Sequence, residues 1–181
     1  MAQAPKPAAS ESNASGSAGG VVICAIDWAT QRAALAELFM EFYGFLRDEH
    51  GFDALAIMDD AAALPGPYAA PEGEAFLALV DGIPAGCFCL RPYPSYSNGA
   101  RTAEAKRMYV RPGFRGLRLG SQLLDAVLEA ARSRGYDEIL LDSLLTLPDA
   151  HRLYYKRGFT VIPQYNDLPA SLVLHMRLPL R

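Results

Sequence analysis

The stretch Tyr109-Val-Arg-Pro-Gly-Phe-Arg-Gly-Leu-Arg-Leu-Gly-Ser121 sets glycines and arginines between a strand-like run and an amphipathic run. At the start of a helix the first main-chain N–H groups have no intrahelical acceptor, and the helix dipole adds partial positive charge. Gly116 and Gly120 would let that backbone approach a ligand closely, which is the physics of a phosphate cradle. The local charge points the same way. Between positions 91 and 118 lie seven basic residues (Arg91, Arg101, Lys106, Arg107, Arg111, Arg115 and Arg118) against one acid, Glu104, in a chain of net charge −3. Segregation of this kind favours an anionic partner at that face. The plainer alternative is a solvated basic surface beside a glycine turn. The segment is not a P-loop, which requires Gly-x4-Gly-Lys-Ser/Thr, nor a dinucleotide fingerprint, Gly-x-Gly-x-x-Gly.

Glu104, the lone acid of the basic strand, is a candidate base, acting directly or through water; its alternative role is to neutralise Lys106 or Arg107. Residues 41–60 hold six acids (Glu41, Asp48, Glu49, Asp53, Asp59 and Asp60) against Arg47. They form either an acidic rim that attracts a cationic amine or a solvated helix end. Cys87 and Cys89 fall on one strand face, without further ligands at metal-binding spacing, so they read as buried thiols and no metal is expected. His151 reads as a surface histidine and Trp28 as packing.

These residues need elements to hold them. Residues 21–24 form a short strand-like run. Leu35, Leu38, Phe39, Phe42 and Leu46 repeat at three and four residues and predict a helix over 30–47. A second helix is expected over 52–58, before the breaks at Pro65 and Pro67. Strands follow over 75–80 and 83–90, joined by a tight turn at Asp81–Gly82, then a longer strand over 102–110. Leu119, Leu123, Leu124, Val127, Leu128 and Ala131 share one face of a helix over 116–134, with Gly135 as its stop. A short apolar strand over 138–142 is followed by a helix over 146–156, opened by Thr146 and Asp149 as a capping-box variant and ended by Gly158. The last strands are 159–162 and 171–178. The order β-α-α-β-β-β-α-β-α-β-β contains a βαβ unit over 102–142, so its two strands should be parallel. A mixed α/β sheet with helices on both faces is expected.

The 181 residues suit one domain, residues 21–181, behind a tail over 1–20 rich in Ala, Ser, Gly and Pro that offers little to bury. With 51% hydrophobic and 20% charged residues, full-length disorder is excluded. No apolar run reaches the ~18 residues of a membrane span, and the overall charge gives no support for nucleic-acid binding. Three cysteines make no disulfide framework and the tail has no secretory signal, so a reducing, cytoplasmic compartment is expected.

Arg115-Gly-Leu-Arg-Leu-Gly120 resembles the Arg/Gln-x-x-Gly-x-Gly/Ala signature of the GNAT superfamily of acyl-CoA-dependent N-acyltransferases, and Tyr109-Val-Arg-Pro112 before it is typical of that family. Arg118 takes the place of the first of the two closing glycines. Downstream, Ala150-His-Arg-Leu-Tyr-Tyr-Lys-Arg-Gly-Phe159 is similar to the family's Ala-x-x-Leu-Tyr-x-x-x-Gly-Phe. Leu147 stands where many members have Asn. The resemblance runs from about residue 21 to the C-terminus and is strongest over 104–159. It implies a GNAT-like, mostly antiparallel sheet with a parallel βαβ core. It implies acetyl-CoA as cosubstrate, with pantetheine pairing along Met108, Tyr109 and Val110. The diphosphate would sit on the N–H groups of Arg115, Gly116, Leu117, Arg118, Leu119, Gly120 and Ser121, and an amide near Tyr109 would polarise the thioester carbonyl. Tyr154 is the implied general acid, since a phenol stays protonated at neutral pH and can donate; Tyr155 points about a third of a turn away. The first helices would help form the acceptor side, with Tyr93, Tyr96 and Tyr165 as further lining. The partner implied is a primary amine on a small molecule or peptide, and the fold is compatible with a homodimer. A non-catalytic acyl-CoA-binding module, O-acylation and a longer acyl donor are the alternatives.

Overall fold

The structure, a computed structural model, describes residues 20–94, 96 and 99–181. The tail expected over 1–20 lies outside the described residues apart from Gly20. Seven strands form one sheet: β1 (Val21–Ala25), β2 (Glu74–Val80), β3 (Ile83–Pro92), β4 (Thr102–Val110), β5 (Glu138–Leu144), β6 (Thr160–Val161) and β7 (Val173–Pro179). Four helices accompany them: α1 (Arg32–His50), α2 (Ala56–Ala63), α3 (Leu119–Ser133) and α4 (Pro148–Lys156). The strand order is β1-β2-β3-β4-β5-β7-β6. Among the described residues only β4 and β5 pair in parallel, as the βαβ reading required.

The sheet has an apolar layer on each face. On one side Leu123, Leu124, Val127, Leu128 and Ala131 of α3 pack on Phe76, Ala78, Phe88 and Leu90, with Tyr154 of α4 and Phe159 in the same cluster. On the other side Leu35, Leu38, Phe39 and Leu46 of α1 and Ile57 of α2 cover Leu77, Cys87, Cys89 and Tyr109. Trp28 packs against the edge of this second layer. Each fully buried leucine contributes about 1.5–3 kcal/mol of transfer free energy.

The Asp81–Gly82 turn has φ of 53° and 78° at its two central residues. Both signs are those of a type I′ hairpin, whose twist matches the strands it joins. Several elements differ from expectation. The second helix begins at Ala56 and runs to Ala63, because the Phe52 N–H first closes the end of α1 on the Leu46 carbonyl and the chain must turn there. The helix expected from 116 begins at Leu119, behind a 3-10 turn over Pro112–Phe114. No capping box opens α4: Leu147 is its N-cap, and the Thr146 hydroxyl lies 2.8 Å from His50 Nδ1 instead. Pro148 at the first helical position fixes the start one residue too late for Thr146 to cap it.

Gly86 of β3 is wedged against β4. A Cβ there would lie 2.6 Å from the Tyr109 carbonyl oxygen and 3.1 Å from Val110 Cγ2. Gly86→Ala is expected to destabilise the fold by about 1–3 kcal/mol, read as a lower urea midpoint. An unchanged midpoint would mean that β4 yields freely at this point.

Candidate active site

The β4–β5 pair lasts for three residues only, Thr102–Glu104 against Glu138–Leu140. Beyond it β4 stays with β3 and β5 stays with β7, so the two parallel strands part and the sheet forks. Within β4 the register carries a bulge: Cys87 faces Tyr109 and Cys89 faces Lys106, so β4 spends one residue more than β3. Arg107 sits in it with φ of 65°. A bulge of this kind reverses which face later side chains take. Ala105 and Met108 therefore both reach the α3 layer, while Lys106 and Tyr109 face the α1 side. The sequence reading of 102–110 as an uninterrupted strand missed this. A cleft of about 1010 Å³ occupies the fork. Its walls include Met108, Leu119 and Tyr154 from the α3 layer and Phe42, Tyr109 and Leu144 from the α1 layer, so it passes through the sheet.

At the α3 end of the cleft the chain runs through Arg115, Gly116, Leu117 and Arg118 into the helix. Among the described residues no acceptor receives the main-chain N–H of Gly116, Leu117, Arg118, Leu119, Gly120 or Ser121; the first helical bond is Gln122 N–H to the Arg118 carbonyl. Arg115 donates its N–H to Pro112, which removes it from the expected set of main-chain donors. Gly116 has φ of 89° and Arg118 has φ of 60°. The left-handed turn is thus made by an arginine where a glycine would be unstrained. Gly120 has a steric reason to be glycine: a Cβ would lie 2.9 Å from Met108 Cε and 3.7 Å from Leu153.

The basic run is largely neutralised. Arg91 pairs with Glu104, Arg101 with Glu72, Lys106 with Asp142, Arg107 with Asp60, and Arg111 with Glu37 and Glu41. Arg115 and Arg118 remain without an ion-pair partner among the described residues, and both line the cleft beside the open N–H groups. The Arg115 guanidinium stacks 5.1 Å from the centre of the Phe45 ring. The acidic stretch supplies several of those partners: Asp60 of α2 pairs with Arg107 of β4, Glu41 of α1 pairs with Arg111 just beyond that strand, and Asp48 pairs with Arg47. Glu49, Asp53 and Asp60 line the cleft.

Tyr154 is 4% exposed, lines the cleft and donates to the Met108 thioether sulfur at 3.1 Å. Burial, and then the Asp142 charge, push its phenol well above the ordinary 10, so it carries its proton at any physiological pH. Tyr155 is 50% exposed and points away. His151 does not line the cleft.

Glu104 requires a correction. It is fully buried and absent from the cleft wall. Its Oε2 receives Arg91 and its Oε1 receives the Tyr165 hydroxyl at 2.7 Å, with Lys106 Nζ at 3.4 Å. The carboxylate neutralises its neighbours, the alternative role it was given, though the partners are Arg91 and Lys106 and not Arg107. The three tyrosines are also displaced from expectation. Tyr93 and Tyr96 meet the Tyr165 ring edge-on at 5.3 and 6.4 Å, and none of them reaches the cleft wall. Cys87 and Cys89 are buried as expected, and burial pushes the Cys87 thiol up to about 12, so neither is a ready nucleophile.

The residue the sequence did not reveal is Asp142. It lines the cleft from β5, with its carboxylate accepting from Lys106 Nζ at 2.6 Å and Asn166 Nδ2 at 3.0 Å. Burial alone would raise its pKa. The Lys106 charge and the hydrogen bonds from Lys106, Asn166 and Tyr165 outweigh it and hold the carboxyl below its ordinary 3.8. Read as an apolar strand, 138–142 did not single it out; the one signal was an acid directly after Leu140 and Leu141.

Comparison with known proteins agrees with this geometry. The acetyltransferase (GNAT) family profile matches residues 32–159. An uncharacterised N-acetyltransferase of Schizosaccharomyces pombe is 37% identical over 123 residues, 67% of this chain and 73% of that protein. A GNAT-family acetyltransferase structure from Staphylococcus aureus superposes with a TM-score of 0.70 at 21% identity, over 90% of this chain and 100% of that one. An acetyltransferase from Salmonella typhimurium, whose structure holds its cofactor acetyl-CoA, superposes with a TM-score of 0.64 at 20% identity, over 90% and 95% of the two chains.

Two outcomes follow from the site's geometry. Arg118→Gly is expected to leave the melting temperature unchanged or higher, because it relieves about 1 kcal/mol of left-handed strain, while weakening anion binding at the α3 turn. A clear drop in melting temperature would show that the Arg118 side chain holds the loop. Because the Asp142 carboxyl is held low in the folded state, its stabilisation is complete above the unfolded value and is lost as the pH falls through the folded one. Urea unfolding below about pH 4 should therefore weaken more steeply for the unchanged chain than for Asp142→Asn. Parallel curves would show that Asp142 is not held low.

Proposed function

Because the chain belongs to the GNAT acetyltransferase family, we propose that it transfers the acetyl group of acetyl-CoA to a primary amine by direct attack in a ternary complex. The amine is carried by a small molecule or a peptide. The observation that carries this reading is the run of six unclaimed main-chain N–H groups, Gly116 to Ser121, at one end of a cleft that opens where β4 and β5 part. A diphosphate fits such a turn, since the donors are fixed, adjacent and backed by the α3 dipole. Arg115 and Arg118 add charge beside it.

The unpaired flank of β4 beyond Glu104 supports pairing with the amide-bearing arm of the cosubstrate along Met108, Tyr109 and Val110. That arm would bring the thioester into the fork. A main-chain amide near Tyr109 would then stabilise the oxyanion that forms on the carbonyl. The amine nitrogen forms the new C–N bond, and the C–S bond breaks with its electron pair on sulfur. Sulfur takes the Tyr154 phenolic proton. An ammonium sheds two protons on becoming an amide; one restores Tyr154 and the other leaves to solvent. Burial keeps the phenol protonated at neutral pH, so it has a proton to give when the C–S bond breaks. The free cysteines Cys24, Cys87 and Cys89 support a reducing, cytoplasmic setting.

Calorimetry with acetyl-CoA and with CoA tests the donor: heat with both is expected, and none with either would remove the reading. Tyr154→Phe tests the acid. It is expected to bind acetyl-CoA as tightly as the unchanged chain but to release CoA to an amine panel ~100-fold more slowly, within the range of a lost general acid. Equal turnover would take Tyr154 out of the mechanism.

A further inference from the structure

We propose that Asp142 receives the acceptor: its Oδ1 takes an N–H of the incoming amine at the fork, across the sheet from Tyr154. This rests on the acetyl-transfer reading and adds to it the group that positions the nucleophile.

The first ground is place. Leu140 is the last β5 residue paired with β4, so Asp142 stands where the strands have just parted. It projects on the side of Lys106 and Glu104, whereas Tyr154 belongs to the α3 layer. Both line the same cleft. A thioester threaded through the fork would thus have its sulfur on the Tyr154 side and its carbonyl facing Asp142.

The second ground is the way the carboxylate is used. Lys106 Nζ at 2.6 Å, Asn166 Nδ2 at 3.0 Å and Tyr165 Oη at 3.2 Å all approach Oδ2. The single Tyr165 proton goes to the nearer oxygen, Glu104 Oε1 at 2.7 Å, which leaves Lys106 and Asn166 as the firm donors. Among the described residues Oδ1 accepts no hydrogen bond, and it is not one of the buried side-chain atoms left without a partner. One oxygen is therefore anchored from β4 and from the loop before β7, and the other is open to the cleft. Glu104 offers no such oxygen, since both of its oxygens are engaged. An ionised carboxylate only accepts hydrogen bonds, so what it can hold is a donor. In an acyl-transfer cleft the donor that must be held is the amine.

The third ground is separation from the other acids. Asp60 also lines the cleft and has one oxygen engaged, by Tyr68 and Arg107. It stands on α2, however, and only Asp142 lies close enough for its charge to act on the Tyr154 phenol. Asp142 and Tyr154 thus line the same cleft.

The test uses the full chain with saturating acetyl-CoA and three probe acceptors: 2-phenylethylamine, 1,4-diaminobutane and a lysine-containing tripeptide. Asp142→Asn is expected to bind acetyl-CoA with unchanged heat and to raise the amine KM at least tenfold, with a smaller fall in kcat. Asp142→Glu should recover part of the loss, and Asp60→Asn should move KM less than Asp142→Asn. An amine KM within twofold of the unchanged chain, or a larger effect from Asp60→Asn, overturns the inference and leaves acetyl transfer standing. No acetyl-CoA heat with the unchanged chain overturns the functional reading itself. If Asp142→Asn does not fold by circular dichroism, or if none of the three probes is turned over, carbon-13 NMR of the unchanged CoA-loaded chain decides. The Asp142 carboxyl resonance is expected to move on addition of at least one of the amines and not on addition of 2-phenylethanol; a resonance that no amine moves overturns the inference.

Discussion

The early parting of β4 from β5 is the constraint on which the site depends. Parallel strands normally continue side by side, because each unpaired peptide group forgoes a hydrogen bond. Here the pair ends at Glu104 and Leu140 and both strands go on. Each is held from its other flank: β4 by β3 up to Val110, and β5 by β7 up to Leu144. The bulge at Arg107 adds twist to β4 at this point. Its charge is met by Asp60 of α2. A fork of this kind costs the sheet hydrogen bonds and leaves their donors and acceptors free for an extended chain that can complete it.

Around the fork, charge is matched with charge. The chain segregates basic residues in and just after β4 and acids in the first two helices, and folding brings the two sets together. Buried pairs of this sort are weak evidence for stability, because desolvation offsets much of their attraction. Their value here is positional. Glu104, Arg91, Lys106 and Asp142 link β3, β4 and β5 on the face where the strands separate, and Tyr165 and Asn166 tie in the loop before β7. Once these four charges are paired with one another, the cationic character left at the cleft belongs to Arg115 and Arg118.

Much of this could be read from the sequence, and the parts that could not have physical reasons. Helix periodicity, the Asp81–Gly82 turn and the glycine stops act locally, and the element order follows from them. The turn into α3 was legible because its glycines and arginines are adjacent in the chain. The bulge was not, since Arg107 carries no mark of its left-handed backbone; the register with β3 imposes it. The role of Glu104 could be narrowed to two but not decided, because its partners Arg91 and Tyr165 come from residues 13 and 61 positions away. Asp142 escaped notice for the same reason: what makes it exceptional is Lys106 and Asn166, and both arrive through tertiary contact.

A gap that runs through the sheet, walled by Tyr154 and Met108 on one face and by Tyr109 and Leu144 on the other, has a consequence for traffic. A dead-end pocket would make two molecules queue at one mouth, the second blocked until the first had left. A gap walled from both layers would instead let two molecules approach from opposite sides and meet in the middle. Such a layout has no need of a side chain that ferries the cargo between visits, and here both cysteine thiols of β3 are sealed in the interior.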